Sequence, residues 1–334
     1  MRVLHLVGSP TSEFFVDLSL VYARGCLAAT ADPDRYDSVV AMVRPDGSWR
    51  FPSDLSPGAI AAAVPVGQGE ALSQLQSLRA DVAVPQLFCL PGMTTYRSML
   101  DLLGIPFVGN SPDVMALTAH KARAKAVVAA AGVPVPASEV LRLGAEPSLP
   151  LPFVVKPVDG DNSVGTSLVR SAAAVPRALA DAFSHSGEML VEAYVELGRE
   201  VRCGVLERGD ELVCLPLEEY AVSGIRGAAD KLRPVSGGVE LVAKEASRAW
   251  VVDVDDPVTA PVWELARLCH RALGCRDHSL FDVRIDPQGR PLFLEASLYC
   301  SFSPSSVVAT MAAAAGLSLP ELYAEQLDRA VARR

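Results

Sequence analysis

Late in the chain runs the stretch HSLFDVRIDPQGRPLFLEAS, and it restricts the fold more than any other segment. Two apolar runs flank the turn DPQGR, which reads as a hairpin of two strands. Asp282 lies in the first strand and Glu295 ends the second, so the hairpin brings both carboxylates to one face at one end. A carboxylate in apolar company is costly unless something pairs with it. Two adjacent carboxylates also repel unless a cation or a proton sits between them. Hard oxygen ligands of this kind suit Mg²⁺ better than Zn²⁺. The plainer alternative is that Asp282 and Glu295 pair with arginines such as Arg284.

The chain has 334 residues, half of them hydrophobic, which predicts two or three packed units. A net charge of −9 argues against nucleic acid or an anionic membrane as partner. The seven cysteines are scattered without a Cys-x-x-Cys pair, so buried reduced thiols are expected rather than a zinc site or a disulfide framework. The opening MRVLHLVGSP has an apolar run too short for a signal peptide and reads as a first strand. The longest apolar stretches, such as VVATMAAAAGL, fall below a membrane span. A soluble cytoplasmic protein is the expectation. Lysine occurs only at 121, 125, 156, 231 and 244, so each lysine is worth testing for a specific role.

Strand and helix patterns alternate over residues 1–110, predicting a doubly wound α/β unit. Strands are expected near residues 3–7, in YDSVVAMV, in DVAVPQLF, and after the helix of SMLDLLGIPFVGNS. Residues 111–190 open with one helix, with Ser111 as N-cap, Pro112 at its first position and a stop at Gly132 and Pro134. PFVVKPVDGDNSVGTSLVR then reads as strand, Gly-rich loop, strand, and EMLVEAYVELGREVRCGVLER as strand, linker, strand. Residues 191–334 carry further strands at 211–217, 280–286 and 291–296, with helices near 257–274 and 304–331. The fold class is therefore α/β followed by α+β with antiparallel strands.

Lys156 ends an apolar strand beside a loop rich in Gly and Ser, and free N–H groups and hydroxyls next to a lysine suit phosphate oxygens. The competing reading is a hairpin turn with a snorkelling lysine. Glu192 heads a linker that could offer backbone groups to a purine edge, with Glu200 in reach of a ribose hydroxyl. Taken alone, Glu192 and Glu200 read as solvated surface charges.

The order of these segments resembles the ATP-grasp superfamily, and within it the D-alanine–D-alanine ligases, over nearly the whole chain. GSPTSEFFVDLSL, MLDLLGIPFVGNS, VVKPVDGDNSVGTS, LVEAYV and FDVRIDPQGRPLFLEAS look like five family segments in the correct order. The resemblance implies an ATP-grasp fold with an N-terminal pre-ATP-grasp domain (1–110), a central lid (111–190) and a C-terminal catalytic domain (191–334). It implies ATP and one or two Mg²⁺ ions, with Mn²⁺ as a substitute. It implies phosphoryl transfer to a carboxylate, then attack by an amine, which demands alignment and charge neutralisation. Amino-acid-like substrates and a homodimer come with it.

By the same resemblance Lys121 and Lys156 hold ATP phosphates, with Ser163 in the phosphate loop and Lys231 on a mobile loop closing over them. Ala193, Val195 and Leu294 accompany Glu192 and Glu200 at the nucleoside. Asp282, Glu295 and Ser297 hold metal. Asp17 receives the first substrate's amino group, and Ser305 and Ser306 hold the second substrate's carboxylate.

The chain departs from the family pattern at specific places. Leu280 stands where the family carries an arginine aimed at the oxyanion; either Arg284, two residues after Asp282 and on the same face, replaces it, or backbone donors and metal alone stabilise the intermediate. Ser297 replaces asparagine in the metal segment, and Leu232 replaces a tyrosine after Lys231. QLFCLPGMTTY, replacing an acidic Gly-rich segment, brings Cys89, Met93 and Tyr96 near the first-substrate pocket. These departures point away from housekeeping D-Ala–D-Ala synthesis. The alternatives are another ATP-grasp outcome, a carboxylase or carboxylate kinase, or a non-catalytic nucleotide-binding homologue.

Overall fold

The computed structural model describes residues 1–160, 163–227, 233–235, 238–240 and 249–333. The first sheet joins β1 (Arg2–Gly8), β2 (Asp37–Val43), β3 (Trp49–Arg50) and β4 (Val82–Pro85) in the order β3-β2-β1-β4. β1 runs parallel to both β2 and β4 and is buried from Val3 onward, as expected of a strand covered on both faces. Gly8 ends it with φ 93°, and a Cβ there would lie 2.1 Å from the Val43 carbonyl oxygen. Ser12 then caps the helix Glu13–Ala29 by accepting from the Phe15 N–H at 3.4 Å. The strand expected after SMLDLLG shrinks to a single bridge between Phe107 and Ala83.

The second sheet contains β5 (Ser138–Arg142), β6 (Phe153–Pro157), β7 (Ser167–Val169) and β8 (Glu188–Ala193), antiparallel in the order β5-β8-β6-β7. The helix Val175–Phe183 covers one face by packing Ala178 and Ala182 with Val155, Met189 and Val191. Strand alternation sends Lys156 and Glu192 to the other face.

The third sheet is built from β9 (Arg199–Arg208), β10 (Glu211–Cys214) and β11 (Glu218–Tyr220). A separate hairpin, β12 (Arg233–Val235) with β13 (Gly238–Glu240), comes next. β14 (Ala249–Val251), β15 (His278–Ile285) and β16 (Pro291–Ala296) complete the third sheet, in the order β14-β11-β9-β15-β16 with β10 on β9. Val201, Cys203, Phe281 and Val283 pack toward the helix Thr259–Leu273 through one shared core. The alternate positions Glu200, Arg202, Asp282 and Arg284 share the opposite face. β15 and β16 form the expected hairpin, with Asp282 paired in register with Glu295 and an irregularity between Asp282 and Val283.

Two helices expected as continuous are broken. Residues 111–131 form Pro112–Ala119 and Lys121–Ala130, separated at His120, whose φ of −102° and ψ of 98° are extended. The break makes Lys121 the first residue of a helix. Its N–H donates to the Val158 carbonyl at 2.8 Å, fixing that helix end to the strand carrying Lys156. The C-terminal helix divides into Val307–Ala314 and Leu319–Ala332, the second opened by a Ser318–Glu321 capping box. Leu280, Phe302 and Tyr323 share a core with Val3 and Val84, joining the third sheet to the first. The Asn110 amide donates to the His278 carbonyl at 2.8 Å across the same boundary. Among the described residues no single helix is long and apolar enough to cross a membrane.

Candidate active site

The polar faces of the second and third sheets line one cleft. Lys121, Lys156, Ser163, Glu192, Ala193, Val195, Glu200, Asp282, Arg284, Leu294 and Glu295 all contribute to its wall. Distant segments of the chain therefore converge on one cleft. Lys231 and Leu232 lie outside the described residues.

Glu192 and Glu200 are not surface charges, being 3% and 6% exposed. Glu192 is gripped on either side by Lys125 and Lys156. Burial opposes its ionisation, but the two ammonium groups prevail and hold its pKa below the usual glutamate value. Burial likewise works against the Lys156 ammonium, and Glu192 and Glu295 outweigh it, raising its pKa. For Lys125 the balance is reversed, and burial leaves its pKa lowered despite Glu192. Lys125 had no role assigned from the sequence. Its position four residues after Lys121, one helical turn on, was the available signal.

At the opposite wall Lys121 reaches Glu295 at 3.5 Å and also donates to the Gly160 carbonyl. Ser163 holds φ 59° in the loop, a left-handed conformation uncommon for a residue with a side chain and one that recurs at functional sites.

Arg284 does face the cleft, but its partner is Glu200 at 2.7 Å, and its guanidinium lies 5.9 Å from the Tyr194 ring. The guanidinium that grips Asp282 belongs to Arg202, directly opposite on β9. Pairing of β9 with β15 decides this: Asp282 faces Arg202 and Arg284 faces Glu200. Arg284 thus shares the cleft-lining face expected for it while engaged with Glu200, and Asp282 is held by Arg202. Arg202 also lies 5.4 Å from the Tyr220 ring, which Arg226 approaches to 3.7 Å.

A second cavity of about 340 Å³ adjoins the cleft and shares Lys121, Gly160 and Glu295 with it. Ser297, Cys89 and Met93 line it. Tyr96 does not: it is buried in the N-terminal core, 5.6 Å from Trp49. Asp17 is a further correction. It is exposed, and Phe15 is the residue of its helix that lines the cavity, because positions two apart on a helix face different directions. Ser305 lines a separate cavity of about 370 Å³ with Glu218 and Trp250. Ser306 heads the helix Val307–Ala314, buried beside the Cys300 thiol at 3.6 Å. Neither serine lines the cleft or the cavity next to it.

Among the described residues no three His, Cys, Asp or Glu side chains gather as a metal site. Asp282 and Glu295 are two hard oxygen donors side by side, with Ser297 two residues after Glu295, just past the end of β16. Such a sparse donor set fits Mg²⁺, which keeps several waters and takes further oxygens from phosphates.

The family described as D-ala D-ala ligase C-terminus matches residues 138–328. A D-alanine–D-alanine ligase of Mycolicibacterium smegmatis is 31% identical over 373 aligned positions, covering 99% of this chain and 96% of that protein. Among solved structures, the D-alanine–D-alanine ligase of Coxiella burnetii superposes with a TM-score of 0.78 at 20% identity, covering 100% of this chain and 94% of the other. The VanG D-Ala:D-Ser ligase of Enterococcus faecalis gives 0.79 at 24% identity, covering 98% and 99%. The architecture is thus the ATP-grasp fold of these ligases.

Proposed function

The chain belongs to the D-alanine–D-alanine ligase family, and on that footing we propose that it is an ATP-dependent ligase joining a carboxylate to an amine, with a carboxylate other than D-alanine as its substrate. The observation that carries this reading is the shared wall of Lys121, Gly160 and Glu295 between the charged cleft and the second cavity. A nucleotide in the cleft and a carboxylate in the cavity meet there.

Ala193 and Val195 offer backbone groups to adenine beside Leu294, and Glu200, oriented by Arg284, faces the ribose. Lys121 and Lys156 neutralise phosphate charge, with Ser163 donating from the loop, and Lys231 is assigned to the same phosphates from the sequence alone. Mg²⁺ held by Asp282, Glu295 and Ser297 would supply further neutralisation of the phosphates. A carboxylate oxygen attacks the γ-phosphorus, and the bond to the bridging oxygen breaks with its electrons leaving on ADP. The amine nitrogen then attacks the acyl carbon. Phosphate departs with the C–O electron pair and the nitrogen sheds a proton. Exclusion of water by the closed site protects the acyl phosphate from hydrolysis. Arg202, above Asp282, lies on the same polar face and stabilises the charge of the tetrahedral intermediate.

The departures at Leu280 and Ser297 and the apolar second cavity support a substrate other than D-alanine. Cytoplasmic location and a homodimer belong to the same proposal. Coupled ADP-release assays over carboxylate and amine pairs test it: amine-dependent turnover with a carboxylate other than D-alanine is expected, and D-alanine as sole efficient substrate would overturn it.

A further inference from the structure

We propose that the carboxylate substrate carries a bulky apolar side chain, an aromatic ring or a branched alkyl group, seated against Phe15, Phe88, Met93, Met115, Leu298 and Tyr299. The proposal rests on the ligase reading and adds the substrate class to it. The cavity measures about 340 Å³. An apolar cavity of about 150 Å³ already admits benzene, so this one has room for a bulky side chain beside the reacting groups at its Lys121 wall. Its aromatic wall is built in advance: Phe88 packs edge-on against Tyr22 at 5.2 Å and Tyr299 at 5.6 Å. The two methionines add polarizable surface that adapts to the group it meets.

Charge is distributed unevenly around this cavity. Its charged lining residues are Lys121, Asp159 and Glu295, on the side shared with the cleft or on the phosphate loop. Every lining residue from the N-terminal unit, Thr11 to Met93, is uncharged. The acids of the first helix face elsewhere: Glu13 pairs with Arg44 at 2.9 Å and Asp17 is exposed. A cationic group seated deep in the cavity would be desolvated without a counter-charge. The substrate therefore enters with its carboxylate toward Lys121 and its apolar end toward the rings.

The test uses the purified full chain with ATP, Mg²⁺ and hydroxylamine, which traps the activated acyl group as a hydroxamate whatever the natural amine. The carboxylates are alanine, leucine and phenylalanine in both enantiomers, with 3-phenylpropionate. The expected result is a kcat/KM at least tenfold higher for a bulky substrate than for alanine of the same chirality, roughly the discrimination one methylene already gives in an apolar pocket. Met93→Trp, which fills the cavity, is expected to lower that ratio about tenfold. Phe15→Ala, at a half-buried helix position, lowers it by a smaller factor and guards against misfolding of the first variant. Alanine preferred over every bulky acid, or a ratio indifferent to both folded variants, overturns the side-chain proposal and leaves the ligase reading standing. Neither ADP nor hydroxamate from any carboxylate overturns both.

Discussion

The charged cleft between the two antiparallel sheets holds about 100 Å³ of free space, whereas the cavity beside it, walled on one side by rings and thioethers, holds about 340 Å³. In the cleft, side chains grip one another: Lys156 and Lys125 hold Glu192, Lys121 meets Glu295, Arg202 meets Asp282, and Arg284 meets Glu200. In the cavity, rings and thioethers leave room. Buried ions must be paired to be tolerated, so the cleft has few acceptable sequences. Apolar walls tolerate exchange of side chains of similar volume.

Perturbing the cleft should have the larger consequences. Removing divalent metal with EDTA is expected to abolish ADP release, with recovery on adding Mg²⁺ or Mn²⁺; persistent turnover would detach Asp282 and Glu295 from metal. Glu295→Gln keeps the shape and removes the charge, and a kcat loss of roughly 10²–10³-fold is expected, the scale of removing one group that stabilises transition-state charge. Circular dichroism should show the fold retained. Lys125→Met strips one cation from the buried Glu192, and a urea titration should register a destabilisation of about 3 kcal/mol. A cost under about 1 kcal/mol would mean that Lys156 alone satisfies that carboxylate. Arg284→Met leaves Glu200 with Arg226 at 4.0 Å, and KM for ATP should rise roughly tenfold, about 1.4 kcal/mol. Asp17→Ala marks the opposite end of the scale. It is exposed and away from the cavity, so stability should change by no more than about 0.5 kcal/mol, and kcat/KM for the carboxylate should stay near that of the parent protein.

The legibility of the sequence follows the same division. The hairpin of Asp282 and Glu295 could be read because period-two alternation and a tight turn are local signals, and β16 spans the expected 291–296. Lys156 and its loop were legible for the same reason. The partners of these groups were not. Arg202 sits opposite Asp282 through the pairing of β9 with β15, strands 80 positions apart at that contact, and no local pattern specifies their register. The break at His120 is not legible in the sequence, because no Pro or Gly marks it between Pro112 and Ala130. The role expected of Asp17 came with the family resemblance alone, which carries no helical direction; the helix turns Phe15, and not Asp17, to the cavity.

The central claim is that the carboxylate is phosphorylated where cleft and cavity share Lys121, Gly160 and Glu295. Transfer of ¹⁸O from a doubly labelled substrate carboxylate to phosphate, read by ³¹P NMR, tests it most directly. One ¹⁸O in each phosphate released during amine-dependent turnover is the predicted result. Turnover that yields phosphate without the label would contradict it.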